Sequence, residues 1–468
     1  MRIYNSLTRK VEEIKSIRKG RIGIYTCGPT VYDYASIGNF RTYTTSDFLI
    51  RALKYFGFEV DFIMNLTDVG HLTGDNLGDA DTGEDRMEKS AKKEGKNAWE
   101  IAEFYINAFL KDFEKLNLVK PKLFARATEH IAEQINLIKK LEQKGLTYKT
   151  SDGIYFDTKR FESTGKKYGV LSNLDSIKEG ARVEPNPEKK NPRDFALWKF
   201  SPKKKKRHME WDSPWGIGFP GWHIECSAMS MKYLGETFDI HVGGEDLRST
   251  HHPNEMAQSE GATGKPFVNY WVHGAFLKVD GKRMGKSLGN AYTLSHIEER
   301  GFDSLALRYF YMTGHYRDIL NFNWDALSAS QRALTKLKNF VRACKEEGET
   351  KRTSLSSEKL AKVENYRARF EEYISDDLKI PQALALAWEV VKSNIPNEDK
   401  LDLILSFDEV FGLNLGKIDI SPKAVTNEVL ELLKKRNELR KAGDFEQADA
   451  IRDKLKREFN YEVHDEPV

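Results

Sequence analysis

The chain has 468 residues, of which 40% are apolar, and a formal charge of only +3 at pH 7. A chain of this length is expected to form about three domains, and so small a charge does not by itself indicate a nucleic-acid-binding protein. Three cysteines exclude a disulfide scaffold and favour a reducing compartment, and we expect neither a signal peptide nor a membrane-spanning segment. We therefore expect a soluble, cytoplasmic, multidomain protein with no membrane partner.

A strand, a turn and a helix are predicted near the start of the chain. Residues 21–26 alternate apolar side chains as strands do, apolar residues recur at helical spacing over 42–57, and a second strand is predicted over 60–64. This βαβ unit favours a parallel sheet with its ligand site at the carboxyl ends of the strands. Gly38 would let a ligand approach the backbone where a helix N-terminus favours phosphate.

A second set of elements follows much later. We predict a strand over 238–241, a helix over about 251–261 and a strand over 268–273. The loop 280–290 is rich in glycine and in cationic residues. Such a loop can place ammonium groups on a polyphosphate.

Four residues distant in sequence suggest one metal site, namely Cys27, Cys226, His251 and Glu255. His251 and Glu255 are four apart and share one face of the predicted helix. Thiolate, imidazole and carboxylate ligands together suit zinc. Spacing alone is a weak signal, and both cysteines could instead be small buried core residues. Cys344 follows an apolar helical stripe and is predicted to be a core residue.

Several segments resemble class I aminoacyl-tRNA synthetases. Residues 25–32 together with Ile37-Gly38-Asn39 resemble the first signature of that class, and Arg283-Met284-Gly285-Lys286-Ser287 resembles the second. Segments 221–229 and 251–255 are similar to the cysteine-specific members. Segments 194–199 and 444–453 resemble them as well, so the resemblance covers essentially the whole chain.

This resemblance implies ATP-dependent activation of L-cysteine and its transfer to the 3′-terminal ribose of cysteine tRNA, with ATP bound together with Mg²⁺. It also implies one zinc ion per chain, held by Cys27, Cys226, His251 and Glu255, which reads the substrate thiol. Cysteine and serine differ by one atom, and a pocket that senses only size separates such pairs by about 1–3 kcal/mol. A metal that binds a thiolate discriminates far better than size does.

The resemblance also implies roles for individual residues. Catalytic roles are implied for Lys286, Ser36, Asn39, Lys282 and Arg283. Contacts to ATP are implied for Gly38, Asn39, Gly243, Gly244, Lys286 and Ser287. Contacts to cysteine are implied for Gly28, Thr67, Trp222, His241 and Asp246. Lys286 would stabilise charge on the triphosphate, whereas Lys282 and Arg283 could be ordinary solvated loop residues and Trp222 a core aromatic residue.

Ser36 departs from the family pattern, because the first signature usually begins with histidine. That histidine ordinarily donates to the triphosphate. Ser36 must therefore donate through its hydroxyl, recruit a water molecule, or leave adenylate formation slower. We favour compensation, since the other catalytic positions are filled.

Five segments follow from the resemblance. They are a first half of a Rossmann-type catalytic domain (1–120), a connective insertion that contacts the tRNA acceptor end (121–202), the second catalytic half (203–301), a helical stem and anticodon-binding bundle (302–425) and a C-terminal helical hairpin (426–468). A monomer is expected. The acidic residues of 75–85 suggest a solvated lid rather than a second metal site, and 203–207 is either a phosphate contact or an exposed hairpin tip.

Two other functions remain open. A ligase that joins activated cysteine to an amino sugar, as in mycothiol synthesis, would share zinc and both signatures but would not need the helical C-terminal region. A catalytically weak tRNA or nucleotide binder would explain Ser36, although retention of Lys286 and of all four metal-ligand candidates argues against it.

Overall fold

The computed structural model describes residues 1–71, 85–172, 186–202, 206–285, 288–347, 355–418, 427–459 and 463. The chain forms two compact units, Met1–Gly416 and Lys417–Val468. Within the described ranges, none of the helices is both long enough and apolar enough to cross a membrane.

The larger unit contains all the described strands and most of the helices. The strands are β1 (Arg2–Asn5), β2 (Lys10–Glu13), β3 (Arg21–Thr26), β4 (Glu59–Leu66), β5 (Leu123–Arg126), β6 (Thr147–Lys149), β7 (Gly153–Phe156), β8 (Phe195–Phe200), β9 (Gly218–Pro220), β10 (Phe238–Gly244), β11 (Val268–Gly274), β12 (Leu277–Val279), β13 (Lys282–Arg283) and β14 (Leu320–Phe322). Its helices are α1 (Ile37–Tyr55), α2 (Arg86–Glu94), α3 (Ala98–Lys115), α4 (Ile131–Gln143), α5 (Thr158–Glu162), α6 (Trp222–Leu234), α7 (His251–Thr263), α8 (Leu294–Glu299), α9 (Ser304–Met312), α10 (Trp324–Glu347), α11 (Ser357–Ser375), α12 (Ile380–Lys392) and α13 (Asn397–Phe411). The smaller unit contains α14 (Asn427–Lys441) and α15 (Phe445–Phe459).

Five parallel strands form the central sheet, in the order β11-β10-β3-β4-β5. Ile24 in β3 lies opposite Ile240 on one side and Phe62 on the other, and all three are buried. Helices α1 and α6 pack against this sheet, as expected for strands made of nearly continuous apolar runs. Strands β3 and β10, from the two predicted halves, are neighbours, so the predicted Rossmann-type parallel α/β fold is confirmed.

The first βαβ unit agrees with its prediction except at the start of its helix. Helix α1 begins at Ile37 rather than near Thr42 because Ser36 caps it. The Ser36 hydroxyl accepts a hydrogen bond from the Asn39 backbone N–H at 3.3 Å, and the Asn39 side chain accepts one from the Ser36 backbone N–H at 3.0 Å. This reciprocal capping box stabilises the first turn, in which Ile37 and Phe40 are buried.

A second, antiparallel sheet has the order β6-β7-β8-β9 and lies in sequence between two parts of the parallel sheet. Its first three strands fall within the predicted insertion 121–202, while β9 follows it. Strand β5, just inside the predicted insertion, is the edge strand of the parallel sheet and pairs with β4. The exact borders of the insertion remain a prediction.

The chain after Phe302 is mainly helical, as predicted. Cys344 is buried on α10 together with Leu337 and Val341, in agreement with its predicted core position. In the smaller unit, α14 and α15 pack against each other.

Candidate metal and substrate site

The four predicted metal ligands meet at the carboxyl edge of the parallel sheet. Cys27 directly follows β3, Cys226 lies in the first half of α6, and His251 and Glu255 lie in the first two turns of α7. Parallel strands bring their carboxyl ends to one edge, so residues separated by more than 200 positions become neighbours. The adjacent helix N-termini favour negatively charged groups such as thiolates.

The donor atoms of Cys27, Cys226, His251 and Glu255 all lie within 4.8 Å of one another. The two Sγ atoms are 3.9 Å apart, close to the separation of about 3.8 Å that two sulfurs would have on a tetrahedral zinc ion with bonds of about 2.3 Å. His251 Nε2 lies 3.0 Å from Glu255 Oε1. No more than 5% of any of these four residues is exposed.

The electrostatics of this cluster favour a cation. Burial acts to raise the pKa of Glu255, but the charges of His241 and His251 lower it to about 2, so the carboxylate stays ionised. Burial acts to lower the pKa of His251, but Glu255 and Cys226 raise it to about 10. Burial raises the pKa of the Cys27 thiol. A divalent cation would satisfy the same demand for positive charge and would stabilise the buried thiolates, so the donor set fits zinc.

A second donor set shares two of these residues. The donor atoms of Cys27, His241, His252 and Glu255 also lie within 4.8 Å of one another. His252 Nε2 is 3.5 Å from Cys27 Sγ, and His241 Nε2 is 2.9 Å from Glu255 Oε2. Only the set with Cys226 contains two thiolates, which is the chemistry that zinc prefers.

His252 is the first residue in a chain of hydrogen bonds that runs through His273 to Ser6. His252 Nδ1 lies 2.8 Å from His273 Nε2, and His273 Nδ1 lies 2.8 Å from the Ser6 hydroxyl. Such outer contacts orient the residues around a metal site. Beyond the adjacent pair His251-His252, no motif in the sequence predicts this chain of contacts.

A buried carboxylate links the metal cluster to Thr67, a predicted cysteine contact. The Thr67 hydroxyl donates to Glu225 Oε2 at 2.9 Å, and His71 Nε2 lies 2.6 Å from Glu225 Oε1. Glu225 directly precedes Cys226 and is fully buried. On the other side, the Trp222 ring lies 4.2 Å from the His251 ring. Trp222 therefore lies against the cluster, and Thr67 is connected to it through Glu225, the neighbour of Cys226. Glu225 and His71 were not among the predicted site residues.

The remaining predicted substrate residues are at strand ends. The Gly28 backbone N–H donates to Asn65 Oδ1 at 2.7 Å. Gly243 and Gly244 end β10, and a side chain at Gly243 would collide with the His252 ring. Asp246 is exposed in the turn that follows β10.

The predicted ATP side is at the N-terminus of α1. Ser36 and Asn39 form the capping box, and the Ser36 hydroxyl lies 2.7 Å from Asn39 Oδ1. The methyl group of Met284 occupies the space above Gly38, where a side chain would collide with it. Lys282 and Arg283 form the exposed strand β13. Lys286 and Ser287 lie outside the described residues.

Two other sequence interpretations concern polar loops. Residues 75–84 and 203–205 lie outside the described residues. Asp85 caps α2 and pairs with Arg207, whose guanidinium also donates to the Gly70 carbonyl at 3.1 Å and stacks on Phe219. Arg207 is buried, so the exposed-tip interpretation is wrong for this residue: its charge is neutralised by Asp85.

Comparison with known proteins identifies the family. A family model described as the tRNA synthetases class I (C) catalytic domain matches residues 13–332. The chain is 45% identical to cysteine–tRNA ligase 1 of Burkholderia lata, over 99% of this chain and 95% of the relative. It is 43% identical to cysteine–tRNA ligase of Treponema denticola, over 97% and 96% of the two chains.

A solved structure supports the fold. Mycobacterium tuberculosis methionyl-tRNA synthetase in complex with methionyl-adenylate has a TM-score of 0.61 and 14% identity, covering 85% of this chain and 93% of that one. At this identity the likeness concerns the fold alone. The family match and the near-full-length relatives carry the assignment: the chain belongs to the cysteine–tRNA ligases, within the class I aminoacyl-tRNA synthetases.

Proposed function

We propose that the protein activates L-cysteine with ATP and transfers it to the 3′-terminal ribose of cysteine tRNA. In the first step, the cysteine carboxylate attacks the α-phosphorus, the bond to the β-phosphate oxygen breaks, and cysteinyl adenylate and pyrophosphate form. In the second step, a ribose hydroxyl attacks the acyl carbon and AMP leaves. The main observation in support of this proposal is a buried cluster, in a chain of this family, formed by Cys27, Cys226, His251 and Glu255.

The donor set supports zinc as the group that reads the thiol. When bound, zinc would lower the pKa of a thiol and ligate the thiolate, whereas an alcohol stays a poor ligand at neutral pH. Cys27, Cys226, His251 and Glu255 would hold the ion. His241 would fix the Glu255 carboxylate through its 2.9 Å contact.

Protein side chains would orient the rest of the amino acid. Trp222 would wall the thiol pocket, since it lies against His251. Thr67 would face the substrate with its hydroxyl held by Glu225. Gly28 would line the pocket, and Asp246 would pair with the α-ammonium group.

The nucleotide would lie between the two signatures. The N-terminus of α1, with Ser36, Gly38 and Asn39, would receive phosphate at its free N–H groups. Gly243 and Gly244 would let the nucleotide lie against backbone. Lys286 and Ser287, aided by Lys282 and Arg283, would contact the Mg²⁺-bound triphosphate and stabilise the charge that builds on it.

Larger segments would bind the tRNA. We assign the acceptor end to the insertion over 121–202 and the anticodon to the helical region after residue 302. We also infer a cytoplasmic protein, which three free cysteines support, and a monomer, which light scattering would test.

The function is tested by metal content and exchange. We expect about one zinc per chain by elemental analysis of washed protein, cysteine-dependent ATP–pyrophosphate exchange, and charging of bulk tRNA. Exchange with serine should be negligible, because the pocket reads a thiolate. Activity without zinc, or comparable exchange with serine, would overturn the zinc-reading mechanism. Adenylate formation without any charging of tRNA would favour the amino-sugar ligase.

A further inference from the structure

One buried arginine on α1 makes an unusual set of contacts. Arg41 is only 3% exposed and lies one turn after the signature residues Gly38 and Asn39. Its guanidinium donates to the Ala275 carbonyl at 2.9 Å and to the Phe276 carbonyl at 2.6 Å. It also donates to the carbonyl of His315 at 3.2 Å and to that of Asp318.

The four carbonyl acceptors belong to two neighbouring backbone segments, residues 275–276 and 315–318. Residues 275–276 enter β12, and residues 315–318 precede β14, which pairs with β12 in parallel. The two segments are also joined directly, because the Ala275 N–H donates to the Tyr316 carbonyl at 2.8 Å. Arg41 therefore ties α1 to the base of the β12–β13 hairpin.

Residues that follow the hairpin contact the first turn of α1 at two further points. Strand β13 carries Lys282 and Arg283 and leads to Met284, whose methyl group covers Gly38. After the signature loop, the Tyr292 carbonyl accepts a hydrogen bond from the Ile37 N–H at 2.9 Å. These two contacts are a backbone hydrogen bond and an apolar contact, whereas the contacts of Arg41 come from a buried cationic side chain.

We propose that Arg41 is a positioning residue that fixes the second-signature hairpin against the first turn of α1. A guanidinium offers five donors in a rigid planar fork and here serves four carbonyls, whereas the compact ammonium group of lysine has only three donors. The role rests on the proposed function, because the two signatures must close on the same triphosphate. Misplacing a catalytic group by about 1 Å can cost on the order of 10²-fold in rate.

The test compares Arg41→Lys and Arg41→Met with Arg308→Lys. Arg308 serves as the control because it is also buried and also donates to backbone carbonyls, those of Phe411 and Leu116. Unlike Arg41, it also pairs with a carboxylate, that of Asp47 on α1, and lysine keeps the positive charge for that pair. The partners of Arg308 are distant in sequence from the second signature. We expect both Arg41 variants to slow pre-steady-state adenylate formation, by on the order of 10²-fold for Arg41→Met, with zinc content and the KM for cysteine unchanged. Single-turnover transfer from preformed cysteinyl adenylate to tRNA should change far less, because that step does not use the triphosphate.

A second readout does not depend on activity. Trypsin should cut Arg41→Met faster than wild type after Lys282 and Arg283, and Arg308→Lys should be cut there at the wild-type rate. Equal losses of adenylate formation and of transfer in the Arg41 variants, or the same defect in Arg308→Lys, would reduce Arg41 to a general stability role and overturn the proposal. A wild-type enzyme with no exchange activity would instead overturn the proposed function, while the cleavage pattern would still report on the hairpin.

Discussion

The two sides of the candidate active site differ in how deeply their side chains are buried. On the cysteine side, the four candidate metal ligands are buried. His241 contacts Glu255, His273 contacts the adjacent His252, and Glu225 holds Thr67. On the ATP side, Asn39, Lys282 and Arg283 are exposed. The predicted thiol pocket is thus formed by buried residues, whereas the predicted ATP side is formed by exposed ones. Substitutions on the first side should therefore affect recognition, and those on the second should affect rate.

Replacing Cys226 with serine should have the largest effect. Serine is a poor zinc ligand, so we expect loss of the metal, and cysteine-dependent exchange should fall by on the order of 10⁴-fold, as when a site loses the group that reads its substrate. Elemental analysis and ATP–pyrophosphate exchange measure both quantities.

The matched control is Cys344→Ser, which changes another buried cysteine on α10, in the helical region. It should keep both zinc and exchange activity. If Cys226→Ser keeps its zinc while His252→Asn loses it, the metal belongs to the alternative set of Cys27, His241, His252 and Glu255.

The elements and residues that were predicted correctly are those whose patterns lie within one short segment of the sequence. Strands β3 and β10 appear as short runs with alternating apolar residues, and the four metal-ligand candidates lie in short contiguous motifs. The helix predicted from residue 42 omitted the first turn of α1, where Ser36 and Asn39 form a capping box and Ile37 and Phe40 are buried.

Contacts between distant segments could not be predicted in the same way. Glu225 contacts Thr67 and His71, which are more than 150 residues away in sequence. Only the order of the parallel sheet makes these residues neighbours. Arg41 carries no motif that would reveal its four carbonyl partners. Arg207 is part of a basic run in the sequence, but the fold buries it against Asp85.

Replacing Lys286 with alanine should give the next largest effect, and it should be confined to the ATP side. Loss of one transition-state donor typically costs about 10²–10³-fold, so adenylate formation should slow by that factor while zinc content and cysteine affinity stay unchanged. Rapid-quench measurement of adenylate checks the rate. Lys265→Ala, which removes an exposed lysine paired with Glu236, should have no effect. An unchanged adenylation rate in Lys286→Ala would overturn the proposed mechanism.

Replacing Glu225 with glutamine tests whether the hydrogen bonds of this buried carboxylate preorganise the cysteine side of the site. The amide keeps the shape but offers one oxygen acceptor where Glu225 uses two, so Thr67 and His71 cannot both be held as before. Loss of such an outer contact typically costs about 10–100-fold. We expect this loss in the KM for cysteine with little change in the KM for ATP, as measured by exchange kinetics. Glu260→Gln, on neighbouring α7, is the control, and an equal rise in both KM values would argue for a general loss of fold.

The smallest expected effects concern Ser36, whose hydroxyl caps α1 and would also donate to the triphosphate. Because that hydroxyl caps α1, Ser36→Ala should destabilise the helix by about 1 kcal/mol and slow adenylate formation by no more than about fivefold, the rate equivalent of that energy. Ser36→Thr keeps the cap and should remain near wild type in both respects. Ser36→His loses the cap and, if the site already compensates for the missing histidine, should be neutral or slower. Thermal unfolding and pre-steady-state adenylation of the three variants separate these effects. A large gain in rate for Ser36→His would mean that the capping box stabilises α1 at the expense of a catalytic donor, and that the ATP side of this enzyme is incomplete rather than compensated.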